Sequence, residues 1–314
     1  MTLTELRYIV AVAREKHFGH AAEACFVSQP TLSIAIKKLE DELEVKIFER
    51  GGSEVTVTPL GEAIVRQAQA VIEQAAAIKE IAKRGKDPVA GPLRLGIIYT
   101  IGPYLLPELV RQVIERTPQM PLMLQENFTV KLLEMLRAGE LDCAILAEPF
   151  PDAGLAIAPL YDEPFMAAVP KDHPLARRRS VSAEELKQQT MLLLGTGHCF
   201  RDQVLEVCPE LSRHSQSSAG IQKTFEGSSL ETIRHMVASG VGVTVLPRTA
   251  CAQPREDELL RYIPFVAPPP HRRVSLVWRK SFTRVPAMEA VRRAILAADL
   301  PGVTPLPDER PVFH

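Results

Sequence analysis

The stretch AAEACFVSQPTLSIAIKKLE, residues 21–40, decides how this chain is read. It falls into two helical segments around a tight turn near Phe26 and Val27, the spacing of a helix-turn-helix. Ser28 is placed to cap the second segment, and Pro30 suits its first turn, where the missing N–H leaves nothing unpaired. Leu32, Ile36, Leu39 and Leu43 recur at helical spacing and form an apolar stripe. The opposite face carries Gln29, Pro30, Ser33 and Lys37, with Thr31 and Lys38 flanking. Short polar and amide side chains near a helix N-terminus reach base edges in the major groove. Lys37 and Lys38 suit phosphates.

Outward from this core, Leu3, Leu6, Ile9 and Val10 place a helix upstream. Downstream, FERGGSEVTVTP (48–59) reads as a hairpin, a wing whose Arg50 would follow the DNA backbone. A small helical domain that binds a protein partner is the competing reading. Charge does not decide, because residues 1–58 hold seven Lys/Arg against nine Asp/Glu, formally −2. Much of that acid, Glu40, Asp41, Glu42 and Glu44, sits at the far end of the second helix.

Residues 59–86 read as one long helix, stopped by Gly85 and Pro88, and DPVAGP (87–92) follows as a linker. From 93 the pattern alternates: strand 93–99, helix 104–116, strand 121–127, helix 130–140, strand 141–147. Such βαβ alternation predicts a parallel sheet. Strands are further expected at 163–170, 190–195, 240–247 and 272–280, with helices at 229–239 and 286–298. The Pro-rich tail from 301 is expected to be mobile.

At 314 residues the chain is long enough for two or three domains, and its 46% hydrophobic, 24% charged composition is that of a soluble globular protein. The formal net charge of −1 names no partner. The N-terminus carries Glu5, Arg7 and Arg14 among its apolar residues, unlike a secretory signal, and no uncharged run is long enough to span a membrane. A cytoplasmic location is expected, where thiols stay reduced. Five cysteines, an odd number, argue against a disulfide framework.

The run from Ala21 to Glu62, with its SQPTLS core, KKLEDEL end and FER…TPLGE, resembles the start of LysR-type transcriptional regulators. That resemblance implies an α/β chain with three parts. They are a winged helix-turn-helix over 1–58, a dimerising linker helix and hinge over 59–91, and a sensor over 92–300 similar to periplasmic binding proteins of type 2. One sensor lobe would be about 92–162 plus 270–300, the other about 163–269, with ligand chemistry in the cleft. The DNA contacts would come from Ser28, Gln29, Pro30, Thr31, Ser33, Lys37, Lys38 and Arg50.

GTGHCFRDQVLEVCPE (195–210) sets Cys199 and Cys208 nine positions apart. Phe200, Val204, Val207 and Leu211 recur at helical spacing, so Cys199 would open a helix. Unpaired amides there favour a thiolate, as do Arg201 and His198 nearby. Peroxide would take that thiolate to sulfenic acid, and Cys208 could then close a disulfide. Inside an intact helix nine residues span about 13.5 Å and end on opposite faces, whereas a disulfide needs Cα atoms about 4.4–6.8 Å apart. The bond therefore requires the helix to unwind. Packing residues remain an open alternative for both cysteines, and zinc is disfavoured because no ligand pair has the spacing. Cys143 reads as a core strand residue, Cys25 as helix-turn-helix packing, and Cys251 as a residue of an exposed loop.

LLLGTGHCFRDQVLEVC, IIYTIGPYLLPELV, SLETIRHMVASGVGVTVLP and RRVSLVWR are similar to the peroxide-responsive activators of that family. The resemblance implies Cys199 as the peroxidatic and Cys208 as the resolving cysteine. It implies a peroxide pocket of Thr100, Thr129, His198 and an arginine, Arg272 in preference to Arg273. It further implies a homodimer or homotetramer that meets promoter DNA and RNA polymerase, with no cofactor or metal, reset by a glutaredoxin- or thioredoxin-type reductant. Two alternatives stand beside it. One is a LysR-type regulator of a metabolite with silent cysteines, the other a thiol peroxidase fused to a DNA-binding domain.

Overall fold

The structure, a computed structural model, describes residues 1–51, 54–84, 87, 89–207, 229–251 and 259–307. Three hydrophobic cores organise the chain: an N-terminal one, then a first core of residues 93–161 with 274–295, and a second of residues 165–265 between those two stretches. The N-terminal one is built on α1 (Leu3–Glu15), α2 (Phe18–Ala24) and α3 (Gln29–Leu43), with the hairpin β1 (Phe48–Gly51) and β2 (Glu54–Val57) beside them. Thr2 and Glu5 close α1 in a reciprocal capping box, and Ser28 caps α3 by accepting from the Thr31 amide. The stripe Leu32, Ile36 and Leu39 is fully buried, as its spacing predicts, whereas Leu43 is exposed. Glu40 is not part of a solvated acidic end. Its carboxylate accepts from the Ile47 and Phe48 amides at 2.8 and 3.1 Å and fastens the wing to α3.

The turn between α2 and α3 is a Schellman closure. The Val27 amide donates back to the Ala22 carbonyl and the Phe26 amide to that of Glu23. The closure puts Phe26 in the left-handed region at φ 57°, a conformation that costs an L-residue about 1–2 kcal/mol.

α4 (Pro59–Arg84) starts at Thr58, whose Oγ1 accepts from the Gly61 amide and donates to the Lys46 carbonyl. It leads to a sheet ordered β10-β6-β9-β5-β3-β4. β3 (Leu93–Ile98) runs parallel to β4 (Leu122–Asn127) and to β5 (Cys143–Ala147). α5 (Gly102–Arg116) and α6 (Thr129–Arg137) are the crossovers. The sheet is mixed rather than parallel throughout. β9 (His271–Arg279) lies antiparallel to both β5 and β6 (Leu155–Pro170).

β6 is twice as long as the 163–170 strand the pattern predicts, and it runs out of one core into the other. Beyond Pro164 it pairs antiparallel with β7 (Thr244–Pro247) and β8 (Leu260–Pro264). The expected strand at 190–195 is not formed. Met191 makes a single bridge to Val243, and the apolar run Met191, Leu192 and Leu194 is there for burial in the second core. The expected strand 240–247 shortens to β7. α7 (Ala183–Lys187), α8 (Cys199–Val207) and α9 (Leu230–Ala238) pack on that core, and α10 (Val285–Leu296) on the other. The tail is expected to be loose from 301, yet Thr304 and Pro305 form β10 against β6, and residues 308–314 lie outside the described part. No helix among the described residues is long and apolar enough to cross a membrane.

Candidate functional site

β3 and β4 are parallel neighbours, and each runs at its C-terminal end almost directly into a helix. Thr100 stands just before α5, and Thr129 is the first residue of α6. The C-terminal edge of parallel strands is where α/β folds place ligands. The far wall is the turn into α8, with Gly197, His198 and Cys199. Together with Ile98, Tyr99, Asn127 and Phe128 these residues enclose a cavity of about 10 Å³, the room one water-sized molecule needs.

The cavity's polar groups are not equivalent. Thr129 Oγ1 is buried without a hydrogen-bond partner among the described residues. A buried hydroxyl left unpaired is costly, and a small polar guest would satisfy it. Thr100 Oγ1 accepts from Arg272 Nη1 at 2.8 Å, and its carbonyl accepts from Arg272 Nη2 at 2.9 Å. A hydroxyl that accepts from a cation is polarised as a donor, so Thr100 can offer its own proton inward. His198 is buried, with its ring edge-on to Phe128 (4.8 Å between centroids) and to Tyr99 (5.9 Å).

Arg272 supports the site from behind. Its Nε donates to Glu163 Oε2 at 2.8 Å, and its guanidinium lies 5.2 Å from the Phe200 ring centre. Glu163 is fully buried and is completed by the Thr249 amide (2.8 Å) and hydroxyl (2.5 Å). Arg272 thus stands behind Thr100 and does not itself line the cavity. Arg273 faces outward in an ion pair with Asp162 at 2.9 Å, and that guanidinium holds the Asp162 carboxyl below its usual range.

Cys199 is the first residue of α8, and the Arg201 amide in that first turn donates to the His198 carbonyl at 3.0 Å. Arg201, expected as a cation beside the thiol, donates instead to the Leu194 carbonyl at 2.8 Å. Phe200 and Val204 anchor α8 in the second core, and Gln203 Nε2 donates to the Glu148 carbonyl at 2.8 Å. Cys208, the expected partner, lies outside the described residues, as does Leu211. The other described cysteines differ. Cys143 is sealed in its core, where burial drives the thiol well above its usual range. Burial also raises Cys25, and Cys251 is buried with its thiol donating to the Pro247 carbonyl. Among the described residues no group of three or more His, Cys, Asp or Glu side chains could hold a metal ion.

The helix-turn-helix surface is the second candidate site. Gln29, Pro30, Thr31, Lys37 and Lys38 are exposed and Ser33 is half-buried. Ser28 Oγ is occupied as the cap and lies 2.8 Å from Thr31 Oγ1, so these two hydroxyls serve each other first. Arg50 belongs to β1, opposite Val55; its side chain lies outside the described part. Sequence reasoning passed over Ile34 and Phe26 here, and Tyr99, Phe128, Glu163 and Thr249 around the cavity. Ile34 carried a signal, being an isoleucine out of phase with the buried stripe. Glu163 and Thr249 carried none, since only the fold brings them to Arg272.

Residues 3–62 match the bacterial regulatory helix-turn-helix of the lysR family, and residues 86–299 match the LysR substrate binding domain. The chain belongs to the LysR family of transcription regulators; it is a regulator and not an enzyme. Within that family it is similar to OxyR proteins. It is 39% identical to the DNA-binding transcriptional dual regulator OxyR of Escherichia coli K12 over 95% of each chain. It is 52% identical to full-length OxyR of Pseudomonas aeruginosa carrying an aspartate in place of a cysteine. That structure superposes with a TM-score of 0.73 over 96% of this chain and 99% of the other. A hydrogen-peroxide-bound OxyR of Corynebacterium glutamicum, with one cysteine changed to serine, is 34% identical at TM-score 0.62 over 94% and 91% of the two chains.

Proposed function

We propose that this regulator senses hydrogen peroxide at Cys199 and reports it through a reversible Cys199–Cys208 disulfide, activating genes of the oxidative-stress response. One observation carries the reading. The cavity beside Cys199 has room for about one water-sized molecule and is lined by the orphaned Thr129 hydroxyl. A metabolite the size of a sugar or an aromatic acid does not fit there; peroxide, two oxygens with two donors and lone pairs, suits it.

In this reading Thr100 and Thr129 hold one peroxide oxygen while the Cys199 thiolate attacks the other. The O–O bond breaks, the departing hydroxide takes a proton and leaves as water, and Cys199 becomes a sulfenic acid. The Cys208 thiol then attacks that sulfur and expels a second water. Two thiols supply the two electrons that reduce one peroxide. Cys208 follows α8 directly in sequence, and closing the bond means unwinding α8 and releasing Phe200, Val204 and Val207. A thiol reductant of the glutaredoxin or thioredoxin type would reset the pair.

The division into residues 1–58, 59–91 and 92–300 carries the remaining roles. Gln29, Pro30, Ser33, Lys37, Lys38 and Arg50, with Ser28 and Thr31 setting the helix start, would meet promoter DNA. α4 would pair copies into a homodimer or homotetramer in the cytoplasm, and the shift at α8 would re-space the DNA modules and their contact with RNA polymerase.

The deciding experiment is thiol labelling with mass spectrometry before and after peroxide. Wild type should lose two free thiols to a 199–208 linkage, and Cys199→Ser should lose none and give no reporter response. A Cys199→Ser chain that responds normally would remove Cys199 as the sensor.

A further inference from the structure

We infer that Ile34 and Phe26 read DNA sequence by packing on the C5-methyl groups of thymine. The inference deepens the DNA-reading role proposed for α3.

Ile34 is 69% exposed on α3. Its helical neighbours at three and four residues are Pro30, Thr31, Lys37 and Lys38, the residues that would face a duplex. The buried stripe of that helix is Leu32, Ile36 and Leu39, so Ile34 contributes nothing to the core. It carries no charge for a phosphate and no donor or acceptor for a base edge.

Phe26 is stranger still. At 96% exposed it is the most exposed of the exposed large hydrophobic residues described. It also holds a φ of 57°, at the helix-closing position where glycine or asparagine is the usual residue. For the free protein a phenylalanine there is disfavoured twice, by its backbone and by its wetted ring. It precedes the Ser28 cap by two residues and so borders the same end of α3 as Gln29 and Pro30.

The polar inventory of this surface is smaller than the sequence suggests. The Ser28 and Thr31 hydroxyls lie 2.8 Å apart and are engaged in the cap. Gln29 and Ser33 remain for base-edge hydrogen bonds, and Pro30, Ile34 and Phe26 form the apolar remainder. The apolar group that the major groove displays is the thymine methyl. An apolar reader among phosphate-directed lysines therefore selects thymine at the positions it covers.

The test uses the full-length reduced protein. Sites are enriched from a random duplex library, and each thymine in a selected site is then replaced by deoxyuridine, which removes only the methyl. Affinity is read by fluorescence anisotropy. Wild type should weaken about fourfold at particular thymines, the worth of one buried methyl group. Ile34→Ala and Phe26→Asn should each bind the thymine duplex weaker by a similar factor and lose sensitivity to deoxyuridine at one position. Phe26→Asn should melt no lower than wild type, which separates lost reading from lost folding. Wild-type binding indifferent to every replacement, or variants as sensitive as wild type, would overturn the inference. A wild-type protein that enriches no sequence would overturn it together with the DNA-reading assignment of α3, and so is told apart from the first failure.

Discussion

Glu73 of α4 meets Arg279 at the end of β9, with Oε1 and Nε 2.5 Å apart and both side chains largely buried, at 14% and 7% exposure. Arg279 also donates to the Leu136 and Leu141 carbonyls, and Glu73 accepts from Gln69 and from the Ser281 hydroxyl. The helix that carries the DNA-binding module is thus seated on the sensor by a charge pair sheltered from water.

Removing one partner should unseat that helix. Burial already pulls the Arg279 guanidinium below its usual range, with Glu73 the largest opposing influence and Asp142 the next. Glu73→Ala should cost about 3–5 kcal/mol, while Glu73→Leu combined with Arg279→Met should recover most of it. Thermal unfolding of the single and double variants checks the coupling. Additive losses would mean the contact carries no interaction energy.

Thr129→Val exchanges the orphaned hydroxyl for a methyl of the same shape. The unpaired group gained nothing in the folded state, so stability should hold or rise by about 1 kcal/mol. Oxidation of Cys199 should slow about tenfold if that hydroxyl's hydrogen bond forms in the transition state. Stopped-flow peroxide kinetics beside a melting curve tests the split; an unchanged rate would remove Thr129 from the chemistry.

The adjacent arginines should separate sharply. Arg272→Met strands Glu163 in the interior and should cost about 3–5 kcal/mol as well as the Thr100 contact. Arg273→Ala loses an exposed pair with Asp162 and should cost no more than about 1 kcal/mol, with peroxide kinetics intact. Equal effects would contradict the placement.

In acid, one carboxylate gives a signed expectation. Glu108 is held at about 2, against an ordinary 4.5, by hydrogen bonds from Arg111 and then Gln112. A depressed folded-state value adds stability that is complete above pH 4.5 and disappears as pH falls toward 2. Glu108→Gln should flatten that part of the pH–melting curve. A variant with the wild-type acid limb would show that the pair contributes nothing.

Helix boundaries were legible because they are local. Ser28, Pro30 and the Leu32, Ile36 and Leu39 spacing announce α3 whatever surrounds it. Strand direction was legible only in the βαβ run, where β3, β4 and β5 are parallel as the alternation over 93–147 predicts; for β6 and β9 the pattern says nothing of polarity, and they lie antiparallel. The run 190–195 shows the same limit, because an apolar hexamer is needed in a core whether or not it pairs. At the site, Cys199 could be placed at a helix start from its own neighbourhood. Thr100 and Arg272 stand 172 positions apart, and only the family resemblance suggested that they belong together.

β6 pairs with β9 through the first core and with β7 and β8 in the second, apart from one register shift near Pro159. A single beam is therefore riveted into both halves of the sensor. Clamshell closing, the usual motion of a two-lobed receptor, would shear rungs on either side of that beam. α8 contributes no strand to either ladder and is pinned by side chains alone. A bond formed at Cys199, as proposed, would therefore do its work on α8, the part that is fastened least, before it reached the beam.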